Sequence, residues 1–365
     1  MIRVLHIVTD MNRGGLETMI MNYYRHIDRS RVQFDFLVHR SARAAYDDEI
    51  ESLGGHIYRI SGLNPLSLSY YHELDVFFKE HTEHKIVHSH LDCMSAYPLR
   101  AAKKAGVPVR IAHAHSTKQD NDWKYIFKLI SKKFITRYST DLFACSKSAG
   151  KWMFGTDNVT VLNNAIDTEK YVFNPSIREE IRQRLELENS AVIGHVGRFS
   201  PVKNHDFIIE VFKSVKNMCP NSKLLLIGDG ARKNEIQQKV DQLNLSSDVI
   251  FVGSSSNVDM YLQAMDVFVF PSHYEGLGIA AVEAQTAGLP CIVSDKVPSD
   301  CSVTSDLVSF LPLTAGAEKW AKLVYSKLNT KRTNRGEEVK SCGYDIFSQS
   351  IKLEEFYKET YEEQS

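Results

Sequence analysis

Pro271-Ser272-His273-Tyr274-Glu275-Gly276-Leu277-Gly278-Ile279-Ala280-Ala281-Val282-Glu283-Ala284 follows directly on the apolar run Val267-Phe268-Val269-Phe270. A β-branched and aromatic run, a glycine-bearing turn and an alanine-rich stretch read in that order as strand, turn, helix, the building unit of an α/β fold. With the helix starting near Gly276, the amides of Gly276, Leu277 and Gly278 point out of its N-terminus. Unpaired N–H groups and the helix dipole attract an anion such as a phosphate there. Glu275 and Glu283 flank that point. Their spacing along a helix is roughly 12 Å, comparable to the reach from sugar to ribose in a sugar nucleotide. Carboxylates repel a diphosphate, so a pair of them around an anion site is expected to hold ligand hydroxyls at its two ends. Either glutamate alone reads as a dipole-favoured or solvated surface acid; the run as a whole does not.

This Glu, seven residues, Glu spacing resembles the signature of the retaining glycosyltransferases of family 4. The likeness extends over nearly the whole chain. It implies the GT-B architecture, two doubly wound, Rossmann-like domains with parallel sheets facing each other across a cleft. It also implies that Glu275 lies beside the donor sugar and that Glu283 binds the ribose.

The bulk numbers suit that architecture. The 365 residues, 43% hydrophobic and 24% charged, have the length of two ordinary domains and the composition of a globular protein with ample core. No run approaches the 18 or so apolar residues of a bilayer span, and the start, Met1-Ile2-Arg3-Val4-Leu5-His6, turns polar too early for a signal peptide, so a cytoplasmic protein is expected. The six cysteines are scattered without a C-x-x-C pair and read as reduced thiols. Net charge is −1, too small an imbalance to argue for nucleic acid binding.

Short apolar runs alternate with helical-period segments from end to end, the pattern of parallel sheets covered on both faces. Strands are expected near 2–8, 32–38, 55–60, 85–88, 109–112 and 141–144, and again at 191–196, 223–227, 249–252, 266–270 and 290–293. The domains then run over 1–165 and 166–344, with Val161 to Asp167 as the polar crossing. By resemblance, the C-terminal segment 345–365, helical to about 362, packs back on the first domain.

Gly197-Arg198-Phe199-Ser200-Pro201-Val202-Lys203-Asn204 carries two permanent cations after a strand and reads as a second anion clamp. The resemblance puts Arg198 and Lys203 on the donor diphosphate. It departs from the family at Asn204, where many relatives have glycine. Gly14 and Gly15 open a helix after the first strand and permit close backbone approach to a ligand; the family places this loop against the donor diphosphate and the acceptor. Gly253 falls where the family's backbone meets the nucleotide base. Gly228-Asp229-Gly230 begins a nicotinamide fingerprint, but Lys233 stands where its third glycine belongs, so a dehydrogenase is a poor reading.

His88-Ser89-His90 and His113-Ala114-His115 end strands with both histidines of each pair on one face, a spacing zinc could use, though core or hydrogen-bonded histidines are the expectation. The resemblance puts His115 first, and His113 second, beside the transferring sugar. Asp120-Asn121-Asp122 has a metal-binding form but reads better as a helix cap, and no metal or other cofactor is expected. The segment 123–138 combines an apolar stripe (Trp123, Phe127, Ile130, Phe134, Tyr138) with Lys124, Lys128, Lys132, Lys133 and Arg137. It reads either as a core-packed helix with a solvated basic face or as a peripheral contact with anionic membrane at the inner face of the cell membrane.

The resemblance is closest to the exopolysaccharide and capsule enzymes. It implies transfer from a nucleotide sugar, UDP-linked, to a glycan or lipid-linked acceptor with retention of the α configuration. Two other readings share the fold and anion sites: a GT-B nucleotide-sugar epimerase, and a non-catalytic sugar-nucleotide-binding subunit of a transferase.

Overall fold

The computed structural model describes residues 1–118 and 125–364. The chain forms two units, one of Met1–Ile166 together with Ile346 onward, the other of Asp167–Asp345. Asp120-Asn121-Asp122, Trp123 and Lys124 lie outside the described residues.

The first unit holds a parallel sheet of seven strands, β1 (Ile2–Val8), β2 (Val32–Val38), β3 (Ile57–Arg59), β4 (Ile86–Ser89), β5 (Val109–Ala114), β6 (Asp141–Ala144) and β7 (Thr160–Val161), in the order β3-β2-β1-β4-β5-β6-β7. In β2 every residue is buried, the mark of a strand covered on both faces. Gln33 and Asp35 are tolerated inside it because they are paired. The Asp35 carboxylate accepts from Arg3 Nε and Nη2 at 2.6 and 2.5 Å and lies 2.9 Å from His84 Nε2. Helix Ile346–Glu362 completes this unit: the Ile346 amide donates to the Ile166 carbonyl, and Tyr357 sits fully buried with its hydroxyl 2.7 Å from His88 Nδ1.

The second unit repeats the plan with β8 (Ala191–Val196), β9 (Ser222–Ile227), β10 (Val249–Gly253), β11 (Val267–Phe270), β12 (Cys291–Ser294) and β13 (Val308–Leu311), ordered β10-β9-β8-β11-β12-β13, all parallel. Strands β7 and β13 are additions to the expected set. The first is two residues long, and the second is a sheet-edge strand with no fully buried residue, so neither leaves a strong apolar run.

In each sheet the strand order reverses once, between β1 and β4 and between β8 and β11. Open α/β sheets bind ligands beyond the carboxyl ends of the strands at such a point. The sequence in question leaves those ends: His90 follows β4, Arg198 follows β8 and Glu275 follows β11.

Two local expectations change. The helix after β11 begins at Ile279, with Gly278 as N-cap at φ 91, so residues 275–278 form a turn and the helical spacing of the two glutamates does not apply. The single basic helix is two pieces, Tyr125–Lys132 and Ile135–Tyr138. No helix of the described residues is long and apolar enough to cross a membrane.

Candidate functional site

In the second unit, loops from β8, β9, β10 and β11 are stitched into one surface. The Gly197 amide donates to Ile227, the Phe199 amide to Asp229, the Gly228 amide to Gly253 and the His273 amide to Val202. Gly228 and Gly230 make this possible. A Cβ on Gly228, at φ 139, would stand 2.1 Å from the Gly197 carbonyl oxygen, and one on Gly230 would stand 2.5 Å from that of Phe199. The Gly228-Asp229-Gly230 run, a poor nicotinamide fingerprint, is therefore what lets the Arg198 loop lie against the sheet. Asn204 adopts the left-handed region, φ 57 and ψ 45, as the cap of helix His205–Met218, and asparagine is a residue that tolerates it.

On that surface Lys203 Nζ donates to Glu275 Oε1 at 2.6 Å, both side chains largely buried, and the ammonium also lies 4.8 Å from the centre of the Phe270 ring. The pair brings together two residues that are 72 positions apart. Arg198 is exposed and has no ion-pair partner among the described residues, so its guanidinium is available to an anion. Glu283 points inward from helix Ile279–Thr286. Its side chain is 6% exposed, accepts from the Tyr171 hydroxyl at 3.0 Å, and burial pushes its carboxyl up to about 7, with Asp259 nearby adding to the rise. Leu277 is buried at 2%, which leaves its backbone as its only polar offering. Gly253 ends β10 at φ 82 with open space where a side chain would be, so a flat ligand meets no Cβ there.

The first unit gathers histidines at the carboxyl ends of its central strands. His6 pairs in register with His88 across the point where strand order reverses. His6 Nδ1 lies 3.0 Å from His90 Nε2, His90 Nδ1 lies 2.9 Å from His115 Nε2, and His88 Nε2 lies 3.1 Å from His113 Nδ1. The triads His6, His88, His90 and His90, His113, His115 each bring a ring nitrogen within 4.8 Å of the others. Both ring nitrogens of His88 and of His90 are already engaged, whereas His6 Nε2, His113 Nε2 and His115 Nδ1 are buried without a partner. Burial holds these rings neutral: His6 and His115 titrate near 3, and His88, His90 and His113 well below the ordinary value. His113 is 1% exposed and His115 half-buried, so His115 is the member of its pair nearer to solvent. Gly14 is the N-cap of helix Gly15–His26 after β1, in extended backbone.

His6 was not singled out from sequence, because a lone histidine in an apolar strand carries no pattern. Asp92 was also missed. It takes φ 46, a strained conformation for a non-glycine residue, and its carboxylate accepts from the His115 backbone amide at 2.9 Å while burial pushes the carboxyl up to about 6. Its position two residues after His90 was the available signal.

Comparison with known proteins gives this geometry a family. Residues 13–170 match the family model for Glycosyltransferase Family 4, and residues 177–336 match that for Glycosyl transferases group 1. The chain is 38% identical to the putative glycosyltransferase EpsF of Bacillus subtilis over 94% of this chain and 93% of that one. It is 26% identical to the capsular polysaccharide biosynthesis glycosyltransferase CapH of Staphylococcus aureus, over 98% and 99%. Among solved structures, HepE of Anabaena, in complex with UDP and glucose, matches with a TM-score of 0.81 at 17% identity, covering 98% of this chain and 100% of that one. The likeness is one of fold.

Proposed function

The chain belongs to glycosyltransferase family 4, with the GT-B fold, and from that premise we propose that it moves a sugar from a UDP-sugar to a glycan or lipid-linked oligosaccharide acceptor, with retention of configuration and without a metal ion. It is a glycosyltransferase of polysaccharide biosynthesis. An epimerase or a non-catalytic subunit is not favoured by relatives that are themselves called glycosyltransferases.

The observation that carries the reading is the Lys203–Glu275 pair at 2.6 Å on the loop surface that also bears the unpaired Arg198. When the sugar–phosphate bond breaks, the leaving diphosphate gathers negative charge. Arg198 as a planar fork, Lys203 as a point charge and the amides opening helix Ile279–Thr286 meet that charge, the work a metal ion does elsewhere. Lys203 donates to Glu275 when the site is empty and turns to the diphosphate when donor binds. Glu275 then accepts from the donor sugar's hydroxyls. Glu283, buried against Tyr171, takes the ribose. His115 orients the sugar or the acceptor hydroxyl, and the departing phosphate takes the acceptor's proton. Gly14 and Gly15 offer backbone to the donor, and Gly253 lies open to the base. The bound UDP of HepE is consistent with the choice of base.

The test is nucleotide diphosphate release by the purified chain from UDP-, GDP- and TDP-sugars, with and without acceptor extract and with EDTA. The reading predicts release from one UDP-sugar, raised by acceptor and unchanged by EDTA. Release only from another nucleotide's sugars, or its loss with EDTA, contradicts it.

A further inference from the structure

Among the described residues, twelve large apolar side chains are exposed, and five of them fall within residues 125–134: Tyr125 at 36%, Ile126 at 68%, Leu129 at 41%, Ile130 at 50% and Phe134 at 42%. The helix is held to its unit by the opposite side. Ser131 and Ile135 are buried, and the Lys132 ammonium stacks 4.3 Å above the Trp152 ring. Positions 126, 129 and 130 follow the i, i+3, i+4 spacing of one helix face, with Phe134 in the turn that follows the helix, and here that apolar face is turned toward water. A core-packed helix does the reverse.

A second exposed apolar patch belongs to the same unit. Leu66 and Leu68, exposed at 64% and 85%, flank the start of helix Leu68–Glu80. The Tyr71 hydroxyl donates to the Pro65 carbonyl, the Tyr71 ring lies 6.1 Å from that of Tyr97, and helix Ala96–Lys104, which carries Tyr97, packs against the exposed helix. The two patches are thus linked through Tyr71, Tyr97 and the helix that carries Tyr97. Exposed cations border them: Arg100, over the Tyr71 ring, and Lys133 and Arg137, beside Phe134. No Asp or Glu occurs between Asp122 and Asp141 in sequence, and Asp75 on the neighbouring helix is ion-paired with Lys104 at 2.5 Å.

We propose that this face docks on a lipid bilayer containing anionic headgroups, with Ile126, Leu129, Ile130 and Phe134 entering the interface and Lys133, Arg137 and Arg100 meeting the headgroups. Charge complementarity selects this occupant. An apolar face whose basic residues have stems long enough to reach past it suits a surface that is apolar within and negative at its edge. Each cation near such a surface raises partitioning roughly fivefold. The inference deepens the transferase reading, since a lipid-linked acceptor lies in such a bilayer, yet its test needs neither donor nor acceptor.

The full chain is floated with phosphatidylcholine vesicles, with and without phosphatidylglycerol, at about 0.15 M salt. Two double variants at exposed positions accompany it, Ile126→Ser with Ile130→Ser and Lys133→Gln with Arg137→Gln, each checked for an unchanged thermal melt. The wild type is expected to bind only the anionic vesicles, and each variant to lose roughly tenfold or more in partitioning. Absence of wild-type binding, or variants that bind like the wild type, overturns the proposal and leaves the face to a protein partner. Because the vesicles carry no saccharide, a failed donor assay does not alter this result.

Discussion

At the scale of single residues, Glu275 and Glu283 are both glutamates of one motif, but their surroundings separate their roles. Glu275 is held by an ammonium, so its charge is offset until a ligand competes for Lys203. Replacing it by Gln keeps the shape and removes the charge that would meet a developing positive sugar. Turnover is expected to fall by roughly a hundredfold or more, while UDP affinity by calorimetry stays within about threefold; full turnover in Glu275→Gln would contradict the role. Glu283 is disfavoured as an anion by burial. Its folded titration near 7 lies above the ordinary 4.5, so the native state holds its proton more tightly than the unfolded chain and stability falls as pH rises from 4.5 to 7. Glu283→Gln is expected to remove that decline, an effect of about 3 kcal/mol at most, and to weaken UDP binding roughly tenfold through the ribose. Melting curves at pH 5 and pH 8 check the first effect; an identical pH response in variant and wild type would show that the carboxyl is not so held. Sequence made both glutamates and both cations legible, because they sit in short motifs. The contact of Lys203 with Glu275 was not legible, since two loops must fold together to make it, and Tyr171 as the partner of Glu283 comes from 112 residues away.

At the scale of elements, the loop surface depends on glycines that touch backbone. Gly228 has no room for a methyl group and a φ that disfavours one, so Gly228→Ala must push the Gly197–Arg198 loop away from β9. A stability loss of about 1–3 kcal/mol is expected, together with UDP binding that weakens roughly tenfold because Arg198 is displaced; wild-type affinity in a folded Gly228→Ala protein would show that the loop position does not govern the anion site. The sequence exposed Gly228-Asp229-Gly230 but pointed it at the wrong test, a dinucleotide fingerprint. The physical reason is that close approach between neighbouring loops and close approach to a ligand demand the same residue. The basic helix shows a similar limit. Its apolar residues were legible, but periodicity alone does not say which face meets the core. The observed exposed set, with Ile126 and Leu129 in it and Phe127 half-buried, is shifted from the stripe read in sequence.

At the scale of the whole molecule, parallel sheets were legible from alternating apolar and helical segments, and only the short β7 and the sheet-edge β13 escaped. What the sequence left unseen is how the first sheet uses its histidines. Five of them crowd the reversal of strand order, each folded titration depressed below 6.5 by burial. The unfolded chain therefore binds protons that the native unit refuses. The stability involved is fully present above pH 6.5 and is lost as pH falls toward the folded values, by up to about 1.4 kcal/mol per pH unit for each ring. The first unit is expected to unfold steeply between pH 6 and pH 5, read as loss of amide exchange protection in β1, β4 and β5; protection there unchanged at pH 5 would mean that the rings already share protons in the native state. The proposed reaction is tested most directly by the configuration of its product. The acceptor product formed from the active UDP-α-sugar, examined by proton NMR at the new anomeric centre, is predicted to be the α anomer; a β anomer would contradict retention and with it the placing of the sugar between Glu275 and the diphosphate clamp.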